Sequence, residues 1–263
     1  MITQSFPVLL IAGLFGAIVG SFLNVVILRL PEKESLLFPA SHCPHCNTPL
    51  HWYENIPVLS YLVLRGRCGH CRAGISWQYP VVELLTALLA VAIVFRFGLS
   101  FTAAGYFLFA AALVVVIFID IHLQIIPDVI SLPGILLGVF FALFSDALTW
   151  QSSLIGLFAG GGVLYAVAMG YLLWRKIDGM GGGDIKLLAM IGAWLGWQSL
   201  PFVILASSAG GALVGIIAMV RQGKGGQSRI PFGPFLSLAA LLYLLFTERI
   251  ASLYHLYLTG QWP

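Results

Sequence analysis

The sequence predicts an all-α polytopic membrane protein with about eight transmembrane helices and one polar insert between the first two. Of the 263 residues 60% are hydrophobic and 9% are charged, against about 25% charged residues in an average soluble domain. The apolar residues form long runs without Asp, Glu, Lys or Arg. A net charge of +3, scattered along the chain, gives no basic patch of the kind that binds nucleic acid, so we expect no nucleic-acid partner.

Uncharged or nearly uncharged runs mark the predicted spans. A helix needs about 20 apolar residues to cross the hydrocarbon core. Runs of suitable length predict spans at 7–28, 79–95, 97–119, 129–145, 152–174 and 230–247. The run 187–220 is too long for one crossing, and polar, aromatic and proline residues at 197–201 predict a turn that divides it into two helices.

The basic residues predict the orientation, because Lys and Arg favour cytoplasmic loops. With the N-terminus outside, eleven of the thirteen basic residues face the cytoplasm; the two exceptions are Arg96 and Arg249. The eleven are Arg29, Lys33, Arg65, Arg67, Arg72, Arg175, Lys176, Lys186, Arg221, Lys224 and Arg229. The polar insert at 30–78 is therefore predicted to be cytoplasmic. It separates a first helix at 1–29 from a membrane-embedded core at 79–263.

The insert contains all four cysteines, as two C-x-x-C pairs: Cys43 with Cys46, and Cys68 with Cys71. Two such pairs typically form tight turns that together hold one tetrahedral zinc ion. A cytoplasmic location argues against disulfides, because thiols stay reduced there. The sequence therefore predicts a zinc-ribbon-like insert, with unligated thiols or a redox pair as the alternative.

Four histidines accompany the cysteines: His42, His45, His51 and His70. A mixed Cys/His site is an alternative ligand set. Because four thiolates already complete a tetrahedral zinc site, we expect these histidines not to be ligands.

Acidic residues at membrane depth are the candidates for chemistry, since ionisable groups inside spanning helices are rare and mark functional sites. We expect most of the ten acids to be solvated in loops or at helix ends: Glu32, Glu34, Glu54, Asp146, Asp178 and Glu248. Three acids stand out from these. They are Asp120, Asp128 and Asp184.

Each of the three acids has a distinct setting. Asp120 ends the uncharged run 97–119, so we expect it to be poorly solvated. Asp128 follows Pro127 and precedes the fourth span, where an N-cap role is expected. Asp184 follows Gly181, Gly182 and Gly183, and glycines permit close approach of a backbone or a substrate strand. The alternatives are that Asp184 caps its helix and that the glycines form a flexible connection.

The predicted topology brings Asp120 and Asp184 to similar depth, because the third span ends where the sixth begins, at the cytoplasmic face. Two carboxyl groups in one apolar site cannot both ionise easily. That is the arrangement of an aspartic protease, in which the ionised partner activates water and the protonated partner polarises a carbonyl. Lys186 is expected to extend to the inner face, with electrostatic tuning of the pair as the alternative.

Several motifs in this order resemble the bacterial type IV prepilin peptidases, the bifunctional leader peptidase/N-methyltransferases with a Gly-x-Gly-Asp motif. The resemblance covers nearly the whole chain. The motifs are Gly20-Ser21-Phe22-Leu23-Asn24-Val25, both C-x-x-C pairs, Glu54-Asn55-Ile56-Pro57, Leu64-Arg65-Gly66-Arg67-Cys68, Tyr79-Pro80-Val81-Val82-Glu83, Asp120 with Pro127-Asp128, and Gly181-Gly182-Gly183-Asp184.

The resemblance implies catalytic aspartates at Asp120 and Asp184, in the bacterial inner membrane with a periplasmic N-terminus. It implies cleavage of the basic leader of type IV prepilins or pseudopilins after a glycine, on the cytoplasmic side. Methylation of the new N-terminal residue, usually Phe, with S-adenosylmethionine as donor, follows from the resemblance alone. Family members without the cysteine insert are thought to be peptidases only, so the intact insert favours both activities.

Three alternatives stay open at this point. Asp128 in place of Asp120 is a second candidate partner for Asp184. A membrane ion or solute transporter would use the aspartates to bind cations and the insert to sense zinc. A methyltransferase with an idle protease pair is the third.

Overall fold

The computed structural model describes residues 4–176, 181–222 and 231–259. Within that part of the chain the secondary structure is helical, with two isolated β-bridges, His42 with Pro49 and Arg67 with Gly74. The nine α-helices of these residues are α1 (Phe6–Arg29), α2 (Leu59–Val63), α3 (Gln78–Phe97), α4 (Phe101–Leu123), α5 (Asp128–Phe144), α6 (Trp150–Arg175), α7 (Gly182–Leu195), α8 (Leu200–Gln222) and α9 (Gly233–Thr259). Asp178, Lys224, Arg229 and Ile230, which the predictions above include, lie outside the described residues.

All α-helices except the short α2 coincide with the eight predicted spans, which confirms the all-helical fold class. In the described residues six helices are long and apolar enough to cross a membrane, so the chain is a multi-pass membrane protein. The exceptions are α5, with 17 residues, and α7, with 14. The total of about eight crossings therefore stays a prediction.

The chain divides into two compact units, Met1–Val115 and Val116–Pro263. The division into a first helix at 1–29, an insert at 30–78 and a core at 79–263 stays a prediction.

In the first unit α1 packs closely on α3 through small residues of α1. A Cβ on Gly16 would lie 2.7 Å from the Ala90 Cβ, and one on Gly20 would lie 2.7 Å from the Glu83 Cα. Small residues four apart let helix backbones approach where lipid supplies no hydrophobic drive. Asn24 adds a polar tie by donating to the Tyr79 carbonyl at 3.2 Å.

In the second unit α7 is enclosed by its neighbours. Every residue from Leu187 to Leu195 is buried, and α7 packs against α5, α6 and α9. Gly156 of α6 and Gly192 of α7 meet backbone to backbone, where a Cβ on either would clash. The Trp194 indole donates to the Gly134 carbonyl of α5 at 2.8 Å. A helix that is apolar all round is typical of such an enclosure or of a membrane span.

The last helix extends beyond its predicted end at residue 247. It runs to Thr259 with a non-helical residue, Phe246, inside it. The predicted end thus coincides with a kink. The charges at Glu248 and Arg249 interrupt the apolar run but do not stop the helix.

Candidate active site and cysteine cluster

Asp120 lies in the last turn of α4 and is 4% exposed, as expected from its place at the end of an apolar run. Its Oδ2 accepts a buried hydrogen bond of 2.9 Å from the backbone N–H of Gly233, the first residue of α9. The Gln124 N–H donates to the Asp120 carbonyl at 2.9 Å, and Gln124 has a φ of 56°, which ends the helix. The backbone of Asp120 is thus held by its own helix end, and its carboxyl group by the start of a neighbouring helix.

Asp184 is the third residue of α7 and is half-buried. Geometry connects it to Asp120, because Ile126 lies against both Gly183, the residue before Asp184, and Gly233, whose N–H binds the Asp120 carboxyl group. The N-cap of α7 is Gly181, with no side-chain cap bond. The alternative that Asp184 caps the helix is therefore wrong.

Ile126 packs between the start of α7, which carries Asp184, and the start of α9, which carries Gly233. A Cβ on Gly183 would lie 3.0 Å from the Ile126 Cβ, and one on Gly233 would lie 3.1 Å from its Cδ1. A Cβ on Gly233 would also lie 2.6 Å from the Asp120 Oδ2. Glycine is needed for this close approach at Gly233, whereas a Cβ on Gly183 would require Ile126 to shift by a few tenths of an ångström. A Cβ on Gly182, in contrast, would have no other atom within 4 Å.

Asp128 does not have the expected N-cap role. Helix α5 begins at Asp128 itself, and its N-cap is Pro127, without a side-chain cap bond. Both carboxylate oxygens of Asp128 instead accept from the Lys186 Nζ, at 2.7 and 2.8 Å. Lys186 is therefore an ion-pair partner of α5, which differs from the expected extension to the membrane face. The Asp128 side chain is 55% exposed and the Lys186 side chain is 38% exposed.

The four cysteines come together in the first unit on two matching turns. Cys43 N–H donates to the Thr48 carbonyl at 3.0 Å, and Cys68 N–H donates to the Ala73 carbonyl at 2.8 Å. The residue after each pair, Asn47 or Arg72, has a positive φ of 54° or 61°. All four thiols are free, and their Sγ atoms lie within 4.8 Å of one another.

The donor set fits a tetrahedral metal ion. With zinc–sulfur bonds of about 2.3 Å, the edge of a ZnS4 tetrahedron is about 3.8 Å. The Sγ atoms of Cys43 and Cys71 are 3.8 Å apart. Thiolates are soft ligands, and those of Cys43 and Cys68 are buried. Both properties favour a cation such as Zn²⁺.

The electrostatics of the cluster also favour a cation. Hydrogen bonds from the Thr48 side chain and backbone lower the pKa of Cys46 to about 6. The Ala73 backbone lowers the pKa of Cys71, but partial loss of hydration within the cluster and the three neighbouring thiols together raise it to about 11. Four thiols packed together cannot all ionise unless a positive charge lies between them.

Two family models match the chain. The Bacterial Peptidase A24 N-terminal domain matches residues 14–97, and the Type IV leader peptidase family matches residues 107–216. The second range contains both Asp120 and Asp184. A prepilin leader peptidase/N-methyltransferase of Aeromonas hydrophila is 41% identical and covers 92% of this chain and 91% of its own length. The chain belongs to the type IV leader peptidase family.

Two further proteins named prepilin leader peptidase/N-methyltransferase are similar to this chain over most of its length. The protein of Pseudomonas aeruginosa is 39% identical over 92% of this chain and 91% of its own. The protein of Burkholderia pseudomallei is 38% identical over 89% of this chain and 84% of its own. No match was found among the solved structures. None of these similarities supports a transporter.

Gly233 is the first residue of this family member's site that sequence reasoning missed. It supplies the buried N–H for Asp120, yet it lies beyond the matched range 107–216. A backbone donor has no side-chain signature. The signal that was available is the run Pro231-Phe232-Gly233-Pro234, because glycine between two prolines at a predicted helix start suggests a close backbone contact.

Glu83 is the second residue that was missed, although it lies inside the span predicted at 79–95. Its side chain is buried in α3 and its Oε2 accepts from the Val58 N–H at 2.7 Å. Val58 has a φ of 61°, rare for a β-branched residue. The acid thus holds the insert in a strained turn. An acid within an apolar run was a sufficient signal.

Proposed function

We propose that this protein cleaves the basic leader of type IV prepilins or pseudopilins after a glycine, and then methylates the new N-terminal residue, usually Phe. The printed names of its relatives support both activities. The observation that most supports the peptidase activity is the proximity of Asp120 and Asp184, one buried and the other half-buried.

The two aspartates act as a dyad that holds one proton. The ionised carboxylate takes a proton from a water molecule, and the resulting hydroxide attacks the carbonyl carbon of the scissile bond. The protonated carboxyl group donates to the carbonyl oxygen. On collapse of the tetrahedral intermediate the carbon–nitrogen bond breaks, and the leaving amine takes the proton that the first carboxylate had removed from water. The proton on the former carbonyl oxygen returns to the second carboxylate, so that the pair again holds one proton. The pair titrates as a unit, because two carboxyl groups that share one apolar site cannot easily both be ionised.

Gly233 positions Asp120 in this mechanism. Its N–H occupies Oδ2 of the carboxyl group, which leaves Oδ1 for proton exchange with water, substrate or Asp184. A fixed donor at the start of α9 costs no reorganisation during the reaction. The close approach needed for the bond is available only to glycine.

The substrate has an apolar helix preceded by a charged leader, which suits a membrane enzyme with its acids at one face. The helix lies in the bilayer, and the leader remains in the cytoplasm. In this proposal the protein lies in the bacterial inner membrane with a periplasmic N-terminus. The orientation is supported by the eleven of thirteen basic residues that then face the cytoplasm.

Cys43, Cys46, Cys68 and Cys71 hold a structural Zn²⁺ in the insert. Zinc binding supplies much of the folding free energy of a small segment with little core. The methyl donor is S-adenosylmethionine, by similarity to the bifunctional relatives. When bound, it supplies the methyl group for the free amine created by cleavage.

Substitution of the dyad tests the proposal. In detergent, Asp120→Asn and Asp184→Asn should each reduce the rate of leader cleavage by about 10²- to 10⁴-fold, the range for a lost acid–base group. Both proteins should still insert into the membrane. Asp128→Asn, which removes an exposed carboxylate of the same second unit, is the matched control and should retain cleavage.

Three results would contradict parts of the proposal. Normal processing by either dyad variant would exclude the dyad. An inactive Asp128→Asn protein together with an active Asp120→Asn protein would make Asp128 the partner of Asp184. A cleaved pilin whose N-terminal mass shows no added methyl group would leave the protein a peptidase only.

A further inference from the structure

Three side chains of the insert meet outside the cysteine cluster. Glu54 lies in the 3₁₀ turn Trp52–Asn55, His51 precedes that turn, and His70 lies between the two cysteines of the second pair. One ligand atom of each residue lies within 4.8 Å of the others. Since four thiolates complete the cysteine site, these three residues are free of it.

The Glu54 carboxyl group is buried beside the His70 imidazole. Its side chain is 7% exposed, and its Oε2 is 3.6 Å from the His70 Nε2, its ion-pair contact among the described residues. Oε2 also accepts from the His51 backbone N–H at 3.0 Å. A buried carboxylate is costly unless a positive charge compensates it. A neutral imidazole supplies a ligand nitrogen but no charge.

Gly69 makes room for this carboxylate. A Cβ on Gly69 would lie 2.5 Å from the Glu54 Oε1. The backbone of Gly69 is not in the left-handed region, so the turn itself does not require glycine. The close approach of Glu54 to the second cysteine pair is therefore what the glycine permits.

We propose that His51, Glu54 and His70 form a second metal site, for Zn²⁺ or a similar divalent cation, beside the cysteine cluster. Two imidazole nitrogens and one carboxylate oxygen are a ligand set that binds zinc and leaves a fourth position open to water. With bonds of about 2.1 Å, tetrahedral ligands lie about 3.4 Å apart. The Glu54–His70 distance of 3.6 Å is already close to that value.

The rest of the site closes by side-chain rotation. His51 and His70 are both exposed, and their ring centroids are 5.9 Å apart, so the imidazoles can turn toward a cation without displacing a core. An exposed three-ligand site binds metal more weakly than four thiolates do. When filled, it links the turn Trp52–Asn55 to the second cysteine pair.

A cobalt titration of the full-length protein in detergent tests this site. Cobalt at the thiolates gives sulfur-to-metal charge-transfer absorption, whereas cobalt on nitrogen and oxygen gives only weaker ligand-field bands. After the charge-transfer signal saturates, the wild-type protein should take up a further equivalent with ligand-field absorption alone. His51→Ala and Glu54→Gln should lose this second equivalent and keep the first. His45→Ala, a histidine of the same insert outside the trio, should keep both.

His51→Ala is the decisive variant, because it retains the backbone N–H that holds Glu54. The proposal is overturned if wild-type uptake ends when the charge-transfer signal saturates, or if His51→Ala retains the second equivalent. It is also overturned if His51→Ala loses the charge-transfer signal, since His51 would then belong to the cysteine site. Zinc content measured after a weak chelator should fall by one equivalent in the wild type and stay unchanged in His51→Ala.

Discussion

The insert and helix α7 keep functional groups in place by opposite means. Between residues 31 and 77 the buried residues are Cys43 and Cys68, so this segment has almost no apolar core. Along α7 every residue from Leu187 to Leu195 is buried. The insert therefore depends on local turns and on the metal ion that we propose for its cysteines, whereas the acid pair depends on helix packing. Each region should fail under a different perturbation.

The largest effect on this comparison is expected from Cys43→Ser. Loss of one thiolate removes most of a metal-binding free energy of about 10–16 kcal/mol in small zinc domains. Zinc content should fall, and limited proteolysis should cut within 30–78 while 79–263 stays intact. His42→Ala, next to the same cysteine, is the control and should resist proteolysis. Equal resistance of the serine variant would mean that the insert folds without metal.

The next largest effect is expected from Gly233→Ala, which acts on packing at the acid pair. The new Cβ would displace the Asp120 carboxyl from its 2.9 Å bond. We expect kcat for leader cleavage to fall by about 10- to 100-fold, toward the loss for one oriented donor, with KM nearly unchanged. Gly211→Ala adds a Cβ with ordinary contacts of 3.7 Å or more and should cleave normally. A change in KM alone would exclude a positioning role.

Gly183→Ala should have a smaller effect, because its Cβ would meet a side chain that can shift. The contact to the Ile126 Cβ is 3.0 Å, so Ile126 must give by a few tenths of an ångström. We expect cleavage to fall by a few-fold, on the order of 1 kcal/mol. Gly182→Ala meets nothing within 4 Å and should be neutral or slightly stabilising. Equal rates for the two variants would mean that Ile126 does not transmit the change.

The smallest effect is expected from Lys186→Met, which breaks the ion pair with Asp128. Both side chains are more than a third exposed, so the pair contributes only about 0–1 kcal/mol. Cleavage should stay within about two-fold of wild type, and thermal unfolding should shift little. A large loss of activity would assign Lys186 an electrostatic role in the acid pair.

The sequence predicts the helices well because lipid imposes a simple rule, a long run without charge. That rule, together with the turn signal at 197–201, places the eight helices other than α2, and it identifies Asp120 as an acid at the end of an apolar run. It fails at α9, where Glu248 and Arg249 lie in a helix that continues to Thr259. A charge marks the edge of the apolar layer, and helices can extend past that edge.

Contacts between distant residues were harder to predict than helices. The expected N-cap role of Asp128 was wrong because Lys186, 58 positions away, binds its carboxylate. The bond from Gly233 to Asp120 spans 113 positions and involves only backbone on one side. Local spacing carries no information on such pairs. Close approach at Gly183 and Gly233 depends on where neighbouring helices begin.

The attachment of Val58 predicts which part of the insert stays folded if the proposed zinc ion is removed. Glu83 holds the Val58 N–H from a membrane helix of the same unit, and this attachment uses none of the cysteines. Removing the metal should therefore unfold the middle of the insert, while the contact between Val58 and helix α3 survives. Hydrogen exchange in chelator should be fast around the cysteines and slow at Val58.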